Sequence, residues 1–436
     1  MAKKKGSSVR HTRSNQVARG QKQASPPPDE ETAQRIREVI HPATLAQLEY
    51  YQKLGLRERT LTLPVMVAVV ISLVWRQFAS VSEALRVLKT EGLLWADPIQ
   101  VSQQALSERL RTLSAKLFWR VLQDVLPVMQ SKWQKRTRSL PTEIAWALAH
   151  YERVWAVDGS TLDALMRRVG LLRDRPEHPL AGRMMGLLDV SSRLPVHLWY
   201  TEDEQAHDQR FWDQILEILL PGTLLLLDLG FTNYGYYARL MAAQVTFITR
   251  CKANAAYQVT KVLHKSAHLH DTLILLGQDQ LPMRLVEVQY KGTWYRYLTS
   301  ELDPDRLPPV YLVALYWQRW RIEDAYKTVK RLLGLAYFWV GSINGIMLQL
   351  WATWLMYAIL VDLADDVADS LAVPFNQVSL EMVYRSLYFC TMAFHRQETD
   401  DPVAYLAANA KLFGIVKRKR KPDALHLLNL TILEQP

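Results

Sequence analysis

The chain has 436 residues, 49% of them apolar, with a formal net charge of +10 at pH 7 and a pI near 9.4. That length is too great for one simple core and calls for two or three domains, and the basic excess favours a polyanionic partner, nucleic acid or an anionic membrane surface. Only two cysteines are present, Cys251 and Cys390, with no CxxC and no Cys/His cluster, which fits a reducing compartment and excludes a structural zinc site.

Other classes fall away on motif grounds. The run Leu63–Trp75 contains Pro64 and Ser72 and is too short to span a bilayer, so it reads as a core helix. Lys3, Lys4 and Lys5 are not followed by an apolar stretch, so no secretory signal is expected. No P-loop, GxGxxG or GxSxG is present, which speaks against a nucleotide cofactor and a triad hydrolase.

In chain order, residues 1–34 carry seven Lys or Arg before Ser25, no acidic residue in that stretch, and then Pro26, Pro27 and Pro28. This is expected to be a disordered basic arm, either a loose phosphate contact or a solubilising tail. Residues 35–143 read as helical. Leu63–Gln77 is one helix, and Ser80 with Glu83 forms a capping box that opens a second over Val81–Thr90. Gly92 and Asp97-Pro98 break the chain. Ser102 then caps a third helix, QQALSERLRTL, expected to continue through LFWRVLQDVL. Gln103, Gln104, Ser107, Arg109 and Arg111 near its start suit a helix-turn-helix-like DNA reader, although an ordinary helical bundle explains the same pattern. Lys132, Lys135, Arg136 and Arg138 form a basic link before Pro141.

From 144 the texture changes to short apolar runs. VWAVD (154–158), RMMGLLDVS (183–191) and LPVHLWY (194–200) read as strands, with a hairpin turn before Pro195. A helix is expected over Glu202–Leu219, with Phe211, Ile215, Ile218 and Leu219 on its apolar side. TLLLLD (223–228) is a strand buried on both faces, followed by a helix over Tyr236–Ala243 and a fifth strand, VTFITRC (245–251). Three strands, a helix, a strand, a helix and a strand make a ribonuclease-H-like layout. In it the ends of the first and fourth strands converge, bringing Asp158 and Asp228 together. Residues 252–305 are a β-rich insertion containing TLILLG, MRLVEVQY and TWYRYLTS.

The stretch VYLVALYWQRWRIEDAYKTVKRLLGL (310–335) reads as one helix over Tyr311–Leu333, stopped by Gly334. Leu315, Ile322, Tyr326, Val329 and Leu333 form a core-facing stripe. Beside it run Tyr316, Arg319, Glu323 and Lys330, spaced to lie within roughly 60° of one another at about 100° per residue. On its own such a row is most simply a helix edge with an ion pair. The spacing Tyr-x2-Arg-x3-Glu-x6-Lys, with Trp320 and Ile322, resembles the signature of the DDE transposases of bacterial insertion sequences called the YREK or IS-four family. VDGST around Asp158 is similar to that family's Asp-Gly-Thr, and LDLGF around Asp228 to its Asp-x-Gly-Phe. The resemblance covers 144–345 well, the N-terminal region weakly and the tail only in general character.

After 345 the chain is again helical to residue 436. Gly345–Ala368 is strongly apolar, Leu380–Ala393 is rich in aromatics, and Lys417–Lys421 (KRKRK) is a basic block suited either to DNA phosphates or to a solvated helix end. The expected architecture is therefore an α/β, ribonuclease-H-like catalytic domain (144–345) with a β insertion, flanked by helical regions at 35–143 and 346–436.

The resemblance implies a chemistry. Asp158, Asp228 and Glu323 are the implied catalytic carboxylates and metal ligands, with Asp158 bridging two Mg²⁺ ions, for which Mn²⁺ substitutes; three carboxylates suffice because Mg²⁺ keeps several waters. Asp163, Asp189 and Asp208 are competing carboxylates in the same region. Tyr316, Arg319 and Lys330 are implied DNA-phosphate contacts, a guanidinium fork suiting that task. Trp294, beside Tyr295, is the candidate for stacking on a flipped base, with strand packing as its alternative. The implied activity is cut-and-paste transposition in the bacterial cytoplasm, on the nucleoid. Terminal inverted repeats of double-stranded DNA are bound, a homodimer pairs the two ends, cleavage passes through hairpins, and the 3′ ends join to target DNA. A nuclease on the same fold and a non-catalytic, transposase-derived DNA-binding protein are the rival readings.

Overall fold

Nine strands make one mixed sheet in the computed structural model of the protein, which describes residues 30–56, 59–78, 80–162, 182–203, 205–290, 292–335 and 342–417. Its strands are β1 (Arg153–Thr161), β2 (Arg183–Asp189), β3 (Pro195–Thr201), β4 (Thr223–Leu227), β5 (Thr246–Arg250), β6 (Tyr257–Lys265), β7 (Leu269–Leu276), β8 (Leu281–Tyr290) and β9 (Thr293–Thr299), in the spatial order β3-β2-β1-β4-β5-β9-β8-β7-β6. β1 pairs antiparallel with β2 and parallel with β4, and β4 pairs parallel with β5. The insertion strands extend this sheet, because β9 returns antiparallel along β5. TLLLL of β4 is buried throughout, as a strand covered on both faces must be.

Among the described residues seven helices precede the sheet: α1 (Glu30–Leu45), α2 (Leu48–Lys53), α3 (Leu63–Trp75), α4 (Val81–Thr90), α5 (Gln103–Thr112), α6 (Ala115–Gln134) and α7 (Thr142–His150). Helix α1 begins at Glu30, inside the stretch expected to be a disordered arm; the rest of that arm lies outside the described residues. Ser80 Oγ accepts from Glu83 N at 3.2 Å and Ser102 Oγ from Ala105 N at 3.1 Å, so both expected caps form. The third helix does not run on, however. Asn344 inserts at Leu113: its Nδ2 donates to Leu113 O (2.6 Å) and its Oδ1 accepts from Ala115 N (3.1 Å), capping the end of one helix and the start of the next.

Within the sheet region lie α8 (Trp212–Leu216) and α9 (Tyr234–Ala242). The helix expected over 202–219 is reduced to a 3₁₀ turn at Asp208–Phe211 and the short α8. Gln209, which would sit on its polar side, instead donates to Gly230 O and Thr232 O and ties this segment to the loop after β4. Strand β6, which the sequence reading omits, is an exposed edge with Val259 and Val262 turned to solvent.

The final helices are α10 (Pro309–Gln318), α11 (Trp320–Lys327), α12 (Ile343–Ser370), α13 (Leu380–His395) and α14 (Pro402–Ala408). Helix α12 is long and apolar enough to cross a bilayer, yet it is almost wholly enclosed by protein, as an all-round apolar helix in a large core should be. It packs against α3, α6 and α14, and one continuous core joins it to the N-terminal helices and one face of the sheet. The other face is covered by α8 and α9.

One polar seam runs along α12. Asp362, Asp365, Asp366 and Asp369 line one side and receive Arg35, Arg136 and Arg138. Arg136 reaches Asp362 Oδ1 at 2.6 Å and Asp365 Oδ2 at 2.7 Å, and Arg138 grips Asp365 bidentately at 2.6 Å. Burial works against the Asp362 charge, but Arg35 and Arg136 overcome it and hold that carboxyl below the usual range. Two members of the expected basic link are thus occupied by buried ion pairs. Lys417 donates to Asn376 O at 3.2 Å; the remainder of KRKRK lies outside the described residues.

Candidate active site

Asp158 stands on β1 and Asp228 directly follows β4. Val157 and Leu227 are register partners, so the two aspartates come next to each other. By strand alternation both belong to the face that carries Val154, Ala156, Leu224 and Leu226, which is packed under α10–α12. The sequence places them there through two apolar runs that each end in an acidic residue at the same height in the sheet.

Glu323 reaches this face from α11. The helix is fixed to β1 by Tyr326, whose hydroxyl donates to the main-chain oxygen of Asp158 itself at 2.6 Å. Gly186, the register partner of Asp158, leaves room for that approach, since a Cβ there would lie 2.8 Å from Tyr326 Oη. Burial drives the Tyr326 hydroxyl well above its ordinary pKa, so it remains a donor. The expected stripe is buried as read: Leu315, Ile322, Tyr326, Val329 and Leu333. The expected single helix over Tyr311–Leu333 is not continuous. At Arg319 the hydrogen bonds shorten to three-residue steps, Arg319 N to Tyr316 O and Ile322 N to Arg319 O. Thr328–Leu332 then forms a π-turn closed by Leu333 N to Thr328 O. Such interruptions re-aim side chains, and π-turns recur at functional sites.

The interruption puts Arg319 at the centre of the acidic cluster. Its Nη1 donates to Asp158 Oδ2 at 2.9 Å, and its Nη2 to Glu323 Oε1 at 3.1 Å, with Asp228 Oδ1 at 3.9 Å from the same nitrogen. The guanidinium side chain is only 6% exposed. Burial opposes its charge, but Asp158, Asp228 and Glu323 together with Tyr316 raise its pKa above the ordinary arginine value. Burial pushes Asp158 up to about 6; Arg319 and the Gly159 N–H oppose this, while Asp228 and Asp208 add to it. Asp158, Asp228 and Glu323 together carry more negative charge than Arg319 neutralises.

Asp208 joins the cluster. It pairs with Arg183 across Gly159, where an added Cβ would strike the Asp208 carboxylate and lie 2.8 Å from Arg183 Nη2. A glycine after Asp158 is thus required by an ion pair lying over it. Asp189 is at the far end of β2, enclosed and bound by Ser191, Ser192 and Gln130. Asp163 lies outside the described residues.

Tyr316 is buried, its ring 5.2 Å from that of Tyr297, and burial pushes its hydroxyl up to about 12. Lys330, on the π-turn, donates to Thr161 O at the end of β1. Trp294 is not with this group. Alternation along β9 sets it on the opposite face from Tyr297, where it stacks on His270 at 4.6 Å and is 38% exposed. Tyr295, like Tyr297, is an insertion aromatic on the site's face. Sequence reasoning missed Arg183 and the Tyr326 hydroxyl; strand register was the available signal for Arg183, which opens a recognised strand.

Asp158, Asp228 and Glu323 fit a hard divalent cation in donor type and in surplus negative charge. Among the described residues no three His, Cys, Asp or Glu side chains are grouped closely enough to hold a metal ion; Arg319 links Asp158 and Glu323 instead.

Comparison with known proteins converges on one class. Residues 181–359 match the family model described as "Transposase DDE domain". That span includes Asp228 and Glu323 and begins after Asp158. A second match is to "Putative transposase y4zB" of Sinorhizobium fredii, 28% identical over 149 residues, which are 32% of this chain. The chain spans 42% of the length of that curated relative. Together these matches support a DDE transposase.

Proposed function

We propose that the protein is a DDE transposase of the YREK-signature (IS-four) family, with a ribonuclease-H-like catalytic sheet extended by a β insertion over about 252–305. The observation that carries this reading is the meeting of Asp158, Asp228 and Glu323 around Arg319, on and just after two neighbouring parallel strands and within reach of the broken helical segment bearing the Tyr-Arg-Glu-Lys spacing. The strand order β3-β2-β1-β4-β5, with β2 antiparallel to β1 and to β3, supports the fold.

Asp158, Asp228 and Glu323 would hold two Mg²⁺ ions, or Mn²⁺ in their place. When bound, the metal pair supplies an activated oxygen nucleophile and neutralises charge on the leaving 3′ oxygen. The chain's own residues do the rest. Tyr326 fixes the Glu323 helix to the Asp158 backbone, and the Arg183–Asp208 pair lies over β1 at Gly159. Arg319 balances the carboxylates in the free protein and offers its fork to a DNA phosphate in the complex. Tyr316 on α10 and Lys330 on the π-turn after α11 flank it on either side of the break. Trp294 presents a partly exposed ring on which an unpaired base can stack. The partner is double-stranded DNA, both the terminal inverted repeats and the target. A homodimer pairs two ends in the bacterial cytoplasm, and the helical region 35–143 reads the repeats.

The test is cleavage and joining of labelled DNA carrying the element's own ends, in Mg²⁺, Mn²⁺ or EDTA, with Glu323→Gln alongside. Metal-dependent nicking followed by strand transfer, both lost in Glu323→Gln while end binding survives, is the expected result. Nicking without joining identifies a nuclease. Binding with no metal-dependent cut, alike in both proteins, leaves only a DNA-binding role.

A further inference from the structure

One row of side chains crosses the sheet at the height of the carboxylates. Val157 pairs with Leu227, and Leu226 pairs with Ile248, so the register that sets Asp158 beside Asp228 continues to Arg250 on β5. Arg250 in turn pairs with Tyr297 on β9. Asp158, Asp228, Arg250 and Tyr297 therefore follow one another on a single face, two anions and then a cation.

Arg250 is held differently from the other arginines at this site. Arg319 and Arg183 are spent on carboxylates. Among the described residues Arg250 makes no ion pair within 4.0 Å, and its buried Nε has no hydrogen-bond partner. It rests instead against two aromatic faces, its Cζ 5.2 Å from the Tyr295 ring centre and 5.4 Å from that of Tyr297. Stacking of this kind fixes the plane of a guanidinium without using its donors. The charge faces the same space as Tyr316 and Asp228, since both it and Asp228 act on the Tyr316 hydroxyl.

We propose that Arg250 is a phosphate-binding residue of the candidate active site, taking a non-bridging oxygen of the DNA backbone next to the position of Asp228. This rests on the transposase reading. The fork is pre-set by Tyr295 and Tyr297, and a phosphate supplies the acceptors that the protein does not. The row then has a direction: carboxylates at one end, and an anion cradle at the other that fixes where the strand lies.

The experiment compares wild type, Arg250→Ala and Arg250→Lys on a fluorescent duplex carrying the element's terminal repeat. Two quantities are read: the rate of Mg²⁺-dependent cleavage, and the slope of log affinity against log salt in EDTA. Removing one phosphate contact lowers that slope by about 0.9. Arg250→Ala is expected to lose that increment and to cleave slower by on the order of a hundredfold, the scale of losing one fixed donor to a reacting group. Arg250→Lys keeps the slope, because the charge remains, and cleaves at an intermediate rate, because the fork is lost. Lys also serves where Ala fails to fold. Wild-type rate and slope in Arg250→Ala overturn the proposal while leaving the transposase reading intact. Slow cleavage with an unchanged slope also overturns it, and makes Arg250 a support for Tyr316. A wild-type protein that neither binds nor cuts this DNA overturns the transposase reading itself.

Discussion

Arg319 offers the sharpest test of the site's electrostatics in the free protein. It makes charged hydrogen bonds of 2.9 Å to Asp158 and 3.1 Å to Glu323, and the guanidinium is nearly enclosed. Hydrogen bonds to charged groups contribute about 1.5–3 kcal/mol each, and removing one partner of a buried pair costs about 3–5 kcal/mol because a charge is left uncompensated. Asp228 adds little, being half-exposed and 3.9 Å away. Arg319→Ala should thus destabilise the metal-free protein by about 3–4 kcal/mol. Asp158→Asn alone should cost much less, because burial already disfavours the Asp158 charge. In the double variant the neutral amide at position 158 needs no counter-ion, so the loss should fall short of the sum by about 2 kcal/mol. The assay is urea unfolding in EDTA, followed by tryptophan fluorescence, through the full double-mutant cycle. Additivity to within about 0.5 kcal/mol would refute the argument that the guanidinium is held there by carboxylate charge.

Four further outcomes are expected. Tyr326→Phe removes the donor to Asp158 O and should cost about 1–2 kcal/mol of stability by thermal melting, with slower DNA cleavage. Gly159→Ala forces a Cβ into the Arg183–Asp208 pair and should destabilise by about 1–3 kcal/mol in urea titration, although no ionisable group changes. Arg136→Ala leaves Asp362 and Asp365 under-compensated on α12 and should cost about 3–5 kcal/mol, read as a lower denaturation midpoint. Burial lowers the His197 pKa to about 4, so on acidification the unfolded chain takes that proton first. Its contribution is intact above the free value of about 6.5 and is lost as pH falls towards 4, by about 2–3 kcal/mol. Between about pH 6.5 and 4 wild type should lose more stability than His197→Gln by about that amount.

The sheet is readable from the sequence where short apolar runs end in turn formers. TLLLL and VWAV admit few alternatives, because a four- or five-residue apolar run between breakers fits a strand buried on both faces. The exposed β6 is not readable: YQVTKVLHK has no consistent apolar alternation, and it is held as a strand by pairing with β7. The interruption at Arg319 carries no local signal either. No Pro or Gly marks it, and Arg319 meets there a carboxylate, Asp158, that is far away in sequence. The same holds for α12, where Asp362, Asp365, Asp366 and Asp369 share a helical face whose partners, Arg35, Arg136 and Arg138, precede them by more than 200 residues. Residues brought together by register, such as Arg250 and Asp228, lie between these cases. The strands can be found one by one, but their alignment depends on pairing.

The placement of α12 bears on how the chain is made. Helices α1 to α6 are synthesised first, yet the apolar helix they enclose comes more than 200 residues after α6. At about 5–20 residues per second, the N-terminal bundle waits tens of seconds for its central member. During that interval the faces of α3 and α6 that pack on α12 lack that cover, and Arg136 and Arg138 lack the aspartates they pair with. The strands are synthesised in between, so the apolar helix is the last to emerge of the elements that supply this core's buried residues. Its insertion completes the helical bundle and clamps α11 over Asp158 through the Tyr326–Trp354 contact. A chain cut short before residue 343 would lack that clamp, so the carboxylate cluster should assemble only in a chain that has been read almost to its end.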